Sequence, residues 1–389
     1  MTKLKYLIIV IVLIITTGCD NYHELNELGI VTALGIDKVD DDYIVTAQLV
    51  NTQKADSTNI EFSSFITLEG TGKSIKDAFD KINEDSSKFL YLSHLNLLLI
   101  SEGIAKENFY SVLDVFIREP VSRTDFLVLL AKDNKANEIL KTFTNINSIP
   151  SVKIVNTIKE DFSANSNTLN LEFLDVLKGI AKYNYNLTIP SVTIEGNIEE
   201  GLKEDNLKQN KDQAKLIVSQ VGVIKDNKLV DYLNKDEVMY YNILNNNFKE
   251  SSISYKCSDG NNMTIKIESS TADTKSKLVN KELINEISLE GKIYIYENNC
   301  TIKDNIDNIV KEDINNIILE NSNNLINKTK LLNTDIFGFL NNIYLNEYKK
   351  TNQIDDNTYK NSTTIIKTTY ELLKKGNEQT NIIGDLDEN

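Results

Sequence analysis

The stretch Leu28-Gly29-Ile30-Val31-Thr32-Ala33-Leu34-Gly35 and, beyond Asp40-Asp41-Asp42, its continuation Tyr43-Ile44-Val45-Thr46-Ala47-Gln48-Leu49-Val50 decide the fold. Two β-rich runs flank an acidic turn, so the body opens on a hairpin. A third strand is predicted over 62–68. Gly70-Thr71-Gly72 then leads into an amphipathic helix with Ile75, Ala78, Phe79 and Ile82 on one face. A strand over 95–100, a helix over 104–117, a strand over 126–131 and a helix over 136–143 continue an α/β alternation.

Further along, 150–196 reads as two helices and a strand over 187–194, and the polar stretch 199–212 reads as a linker. Strands over 216–224 and 229–233 flank the turn Asp226-Asn227, and a helix over 236–244 follows. Strands over 251–256, 263–269 and 287–296 precede a long helix whose face carries Ile306, Ile309, Val310, Ile314, Ile317, Ile318 and Leu325. A helix over 336–348 and a strand over 365–372 close an α+β unit, and the tail 377–389 is polar. The expected class is therefore α+β, a multi-domain chain of mixed sheets with packed helices. Its parts are 19–145, 146–245 and 246–389, with a two-part cut at 199–212 as the competing division.

Working outward to the N-terminus, Lys3 and Lys5 precede an apolar run over 6–15, and Thr17-Gly18 places small residues ahead of Cys19. This is the pattern of an export signal ending in a lipobox, with residues 1–18 removed and Cys19 lipidated. An apolar run of about 10 residues is short of the roughly 20 that span a bilayer as a helix. Loss of Lys3 and Lys5 takes the formal net charge from −15 to −17. So acidic a body does not suit nucleic acid, whose binding rests on neutralising phosphates, nor electrostatic adhesion to an anionic membrane surface. The lipid must hold it. Two acyl chains suffice for stable anchoring.

Cys257 and Cys300 are the cysteines left after lipidation. An exported chain permits a disulfide, but one pair is no scaffold, and the spacing leaves the pairing open with free thiols as the default. His23 and His94 are the only histidines. No zinc-type cluster, phosphate-cradling loop or G-x-S-x-G elbow accompanies them, so no catalytic residue, metal ligand or cofactor is predicted. His94 reads as structural, Asp40 to Asp42 as a solvated turn lacking calcium-loop spacing, and the Gly70/Gly72 pair as a strand-to-helix turn.

Order along the chain adds a resemblance. Glu24-Leu25-Asn26-Glu27-Leu28 with Val31-Thr32-Ala33-Leu34-Gly35-Ile36-Asp37 resembles the opening signature of the Ger(x)C family of spore germination lipoproteins. The likeness continues through Gly72 with Ser74 and Ala78, Ser93-His94-Leu95, Arg118 and Pro120 with Arg123, and Glu138-Ile139-Leu140. Beyond the linker it takes in Gly222-Val223, Lys228-Leu229-Val230 with Leu233, and Asp335-Ile336-Phe337-Gly338-Phe339. Asp20-Asn21 departs from the Trp-Asp usual after the lipidated cysteine, and Tyr348 stands near where the family carries tryptophan.

The resemblance implies three α/β domains and a non-enzymatic role as the C subunit of a spore germinant receptor. Such a subunit is lipid-anchored on the outer face of the spore inner membrane beside two integral membrane subunits. A small nutrient germinant triggers the receptor, and the resemblance does not say whether this subunit touches it. The alternatives are a solute-binding lipoprotein of a transporter, which would show two similar lobes, and an extracytoplasmic hydrolase, for which no nucleophile–base pair is visible.

Overall fold

A computed structural model describes residues 27–51, 63–118, 123–144, 148–208, 213–301 and 305–373. The opening hairpin is β1 (Leu28–Val39) and β2 (Asp42–Val50), and β3 (Phe65–Gly72) pairs with β2. Next come α1 (Ile75–Asp85), the short β4 (Phe89–Tyr91), β5 (Leu97–Ser101), α2 (Glu102–Asn108), α3 (Tyr110–Arg118), β6 (Leu127–Ala131) and α4 (Ala136–Lys141). The chain continues through α5 (Pro150–Asn165), α6 (Phe173–Ile180), β7 (Leu187–Gly196), α7 (Ile198–Gly201), β8 (Ala214–Lys225), β9 (Lys228–Leu233) and α8 (Lys235–Leu244).

These strands make one nine-stranded sheet in the order β3-β2-β1-β5-β6-β7-β8-β9, with β4 beside β1. β1, β5, β6 and β7 run parallel at its centre. Every residue of β5 and β6 is buried, as a parallel strand covered on both faces requires. Alternation divides the apolar residues. Leu98 and Ile100 pack with Ile75, Ile82, Val112 and Phe116 of α1 and α3, while Leu97 and Leu99 pack with Ala136, Ile139, Leu140 and Ile154 of α4 and α5.

A second, four-stranded sheet follows in the order β10-β11-β12-β13. It comprises β10 (Ser251–Lys256), β11 (Asn262–Val279), β12 (Glu282–Asn298) and β13 (Thr363–Leu372), with α9 (Ile306–Leu332) and α10 (Phe339–Asn346) between β12 and β13. Val310, Ile314, Ile318 and Leu325 of α9 join Met263, Ile265, Ile267, Ile287 and Leu289 in one core. The buried α8 belongs to that core and brings in Val221, Val223 and Leu233 of the large sheet, so the two sheets are fused through α8.

The mixed α and β content agrees with the expected class, and several particulars differ. A division at residue 145 would separate β6 from β7, which are paired in one sheet. The stretch 199–212 is not an open linker where it is described. It forms α7 and a 3-10 turn over Glu204–Lys208, and it joins two neighbouring antiparallel strands, β7 and β8. The helix expected over 104–117 breaks at Phe109, whose N–H donates to the Asn227 carbonyl at 2.7 Å instead of up its own helix. β11 and β12 extend far beyond the stretches expected.

Candidate functional site

Cys19, His23, residues 1–18, Pro120 and the tail 377–389 lie outside the described residues. The motif residues that are described are mostly buried and structural. Asp37 accepts N–H groups from Ala136 and Asn137 at 2.8 and 2.9 Å and so caps α4, with burial pushing its carboxyl above the ordinary range. Gly35 stands where a Cβ would lie 3.0 and 3.1 Å from Leu140 and Ala136, and Gly70 where it would lie 2.0 Å from the Ala78 carbonyl oxygen. Those glycines exist for close helix-to-strand approach, which leaves no anion cradle at Gly70. His94 is exposed in a 3-10 turn beside the Tyr91 ring, and Asp40 to Asp42 form the tight β1–β2 turn. Arg118 and Arg123 make surface ion pairs with Asp114 and Asp125.

The late motif is where the two sheets meet. Asp335 is buried, and its carboxylate accepts from the N–H groups of Phe337, Gly338, Phe339 and Leu340 at 2.8–3.2 Å. It thereby caps α10, whose start is delayed to Phe339 by Gly338 at φ 76°. Burial raises the Asp335 carboxyl to about 6 against the pull of those donors. The Asp335 carbonyl takes the Asn186 N–H at 2.9 Å, just ahead of β7. Tyr183 N–H donates to the Asn341 side chain at 3.1 Å, and Lys225 Nζ to the Leu332 carbonyl at 3.1 Å.

Behind this seam, Thr188 Oγ1 donates to the Tyr241 hydroxyl at 2.9 Å, with the Tyr185 hydroxyl 3.4 Å from the latter. Burial raises both phenols. Lys182 Nζ sits 4.4 Å from the centre of the Tyr185 ring. A cleft of about 580 Å³ opens along the seam, lined among others by Tyr110, Lys182, Tyr185, Asp226, Asp355 and Tyr359. Its chemistry is that of a polar junction. The buried carboxylate is committed to four backbone donors, so it positions α10 and presents no free base.

Cys257 and Cys300 form a disulfide, closing a sequence separation of 43. The default expectation of free thiols is corrected: the antiparallel β10–β11–β12 pairing brings the end of β10 beside the residues that follow β12, a long-range register the spacing could not reveal. Asp259 lies beside the two sulfurs, and its carboxylate is held down at about 2 by N–H groups from Thr301 and Asn261. With both sulfurs in the bridge, that cluster offers no thiolate to a metal. The Asp335 cap was legible in principle as an Asp ahead of Phe-Gly-Phe, an N-cap signal. Tyr185 and Lys182 carried none.

Comparison with known proteins places this architecture. A family model described as the spore germination protein N-terminal domain matches residues 21–194, and one described as spore germination B3/GerAC like, C-terminal, matches 219–376. Spore germination protein KC of Bacillus subtilis (strain 168) is 28% identical over 233 residues, 58% of this chain and 57% of that one. Spore germination protein B3 of the same organism is 24% identical over 302 residues, 76% of this chain and 75% of that one. The match to the first thus spans little more than half of that relative's length. The crystal structure of the GerBC protein superposes with a TM-score of 0.55 at 18% identity, covering 88% of this chain and 97% of that one, and shares the fold. With the two models laid end to end along it, the chain belongs to the Ger(x)C family of spore germination proteins.

Proposed function

We propose that this chain is the C subunit of a spore germinant receptor, held by lipid on Cys19 to the outer face of the spore inner membrane beside two integral membrane subunits. The observation that carries the reading is the tandem family match over 21–194 and 219–376 directly behind the lipobox at Cys19. No helix among the described residues is long and apolar enough to cross a membrane, in keeping with a lipid as the anchor. The role is non-catalytic. It acts through differential binding to receptor states, because a partner with equal affinity for both shifts nothing. The transporter alternative has no support: a nine-stranded and a four-stranded sheet are not two similar lobes, and the relatives are named as spore germination proteins.

Cys19→Ala tests the anchor. Cys19 precedes the first strand at Leu28, so the fold is retained while the anchor is lost. Fractionation of spores should move the variant out of the membrane fraction and depress the germinant response, and the wild-type N-terminus should begin at residue 19 with a diacylglyceryl mass. A wild-type chain without that mass, or a fully released variant that germinates normally, overturns the proposal.

A further inference from the structure

One surface of the C-terminal unit runs against the acidic character of the whole. The tip of the β11–β12 hairpin bears Val279, 46% exposed, and the end of α10 and the 3-10 turn after it bear Leu345 and Tyr348, 68% and 66% exposed. The two parts are joined: Glu347 accepts the Leu278 N–H at 3.2 Å, and Lys350 Nζ donates to the Leu278 carbonyl at 3.1 Å. Around these apolar tips stand the exposed Lys277, Lys281 and Lys349, of which Lys277 lies near enough to Glu347 for its charge to help hold that carboxyl down. Nearby Glu347 is occupied by Lys350, and Glu282 by the Thr363 hydroxyl.

Two features show a surface that is built. The hairpin turn is Asn280-Lys281, both at positive φ (51° and 69°). The second position of such a turn favours glycine, and a side chain there costs about 1 kcal/mol, so the tip carries its ammonium against local backbone preference. Tyr344 is also braced, stacked on Tyr183 with ring centres 5.0 Å apart and set edge-on to Tyr348 at 5.2 Å, which fixes the apolar tips in place.

Topology puts this surface at the end of the molecule where the chain comes from Cys19. β1, β5, β6 and β7 are parallel, so the start of β1 at Leu28 and the start of β7 at Leu187 share one end of the sheet. Tyr183 and Asn186, which hold α10 and Asp335, immediately precede β7. Leu28 lies nine positions after Cys19, a reach of at most about 30 Å.

We propose that Val279, Leu345 and Tyr348, ringed by Lys277, Lys281 and Lys349, form a contact site for an anionic lipid bilayer. The tyrosine and aliphatic tips enter the interfacial region, and the lysines meet the headgroups. Tyr with Lys is the composition of a membrane-interface belt, whereas the cores of protein interfaces are depleted in lysine. The net charge, −17 once residues 1–18 with Lys3 and Lys5 are removed from the −15 of the whole sequence, opposes adhesion of the body as a whole, so the contact also fixes which face turns to the membrane. The inference rests on the anchor proposed at Cys19 to bring the body near the bilayer.

The chain contains no tryptophan, so Tyr348→Trp places a single reporter at the site. The full lipidated variant is bound to vesicles of phosphatidylcholine alone or with phosphatidylglycerol. Flotation reports the anchor, and the tryptophan reports the surface. The expected result is flotation with both, and blue-shifted emission quenched by brominated lipid with the anionic vesicles. Lys277→Gln and Lys349→Gln should weaken that anionic preference about fivefold each. Leu345→Trp repeats the test at a second exposed position. Emission that stays water-like and open to an aqueous quencher on floated protein overturns the inference, as does shielding that appears only when integral membrane proteins of the spore are present. A chain that fails to float refutes the anchor instead.

Discussion

The central strands β5 and β6 and the long pair β11 and β12 are opposite solutions to the same requirement. β5 and β6 are five residues each and buried throughout, covered by helices on both faces. β11 and β12, with 18 and 17 residues, bury one face against α9 and show the other to solvent. A strand buried on both sides is stabilised wherever it touches. A long strand buried on one side, with serines and an asparagine among its inward positions, draws less from each residue and gains from a covalent tie. The Cys257–Cys300 bridge supplies that tie at the open end of the hairpin, and its far tip is the surface inferred to meet lipid.

The largest expected effect tests that contrast directly. Replacing both Cys257 and Cys300 with Ser removes a cross-link over a sequence separation of 43, which in the chain-entropy account costs about 4 kcal/mol. Hydrogen exchange under native conditions should show β10 to β12 losing protection while the amides of β5 and β6 keep theirs. Equal loss in both regions would mean that the core shared through α8 makes the sheets a single cooperative unit, and the contrast would fail.

A smaller effect probes the seam between the two regions. The Asp335 carboxyl is raised from 3.8 to about 6, mainly by burial, so the folded state holds the proton more tightly than the unfolded state does. The associated stability is full below pH 3.8 and is lost as pH rises through about 6. Relative to Asp335→Asn, the wild type should therefore gain on the order of 3 kcal/mol between pH 7 and pH 4. Asp259, held near 2, changes stability only below that window. Denaturant melts of the pair at both pH values measure the difference, and parallel pH profiles would show that burial does not govern Asp335.

The same contrast explains what could be read from sequence. Leu97 to Ile100 and Leu127 to Ala131 announce themselves because both faces are apolar, and the hairpin turns at 40–42 and 226–227 carry the right residues. β11 disappears into polar sequence after Ile267 because its inward positions turn to Ser270 and Ser276, opposite a β12 that buries Asn285. Apolar periodicity stops while the strand continues. The family motifs were visible as order along the chain, whereas their work is helix capping by Asp37 and Asp335 and close packing at Gly35 and Gly70, which only tertiary contact reveals. The seam joins Lys182, Tyr185 and Thr188, neighbours in sequence, to the distant Tyr241, a pairing without a local signal.

The smallest effect sharpens the reading of 199–212, which polarity alone made a linker. Asn206 is only 1% exposed. Its Nδ2 donates to the carbonyls of Phe143 and Ala214 at 2.8 and 3.3 Å, and its Oδ1 accepts the Gln213 N–H at 2.8 Å. One amide thus ties the stretch after α4 to the entry of β8, doing for this connection what pairing does for the strands. Asn206→Ala leaves those groups without that partner, and the expected cost is about 1–2 kcal/mol, the net worth of one or two such bonds. Because the tie is local, the variant should melt a few degrees lower, with new protease cleavage confined to the segment between α7 and β8. An unchanged melt with unchanged cleavage would mean that the polar sequence is a spacer after all, and that β7 and β8 hold their register without it.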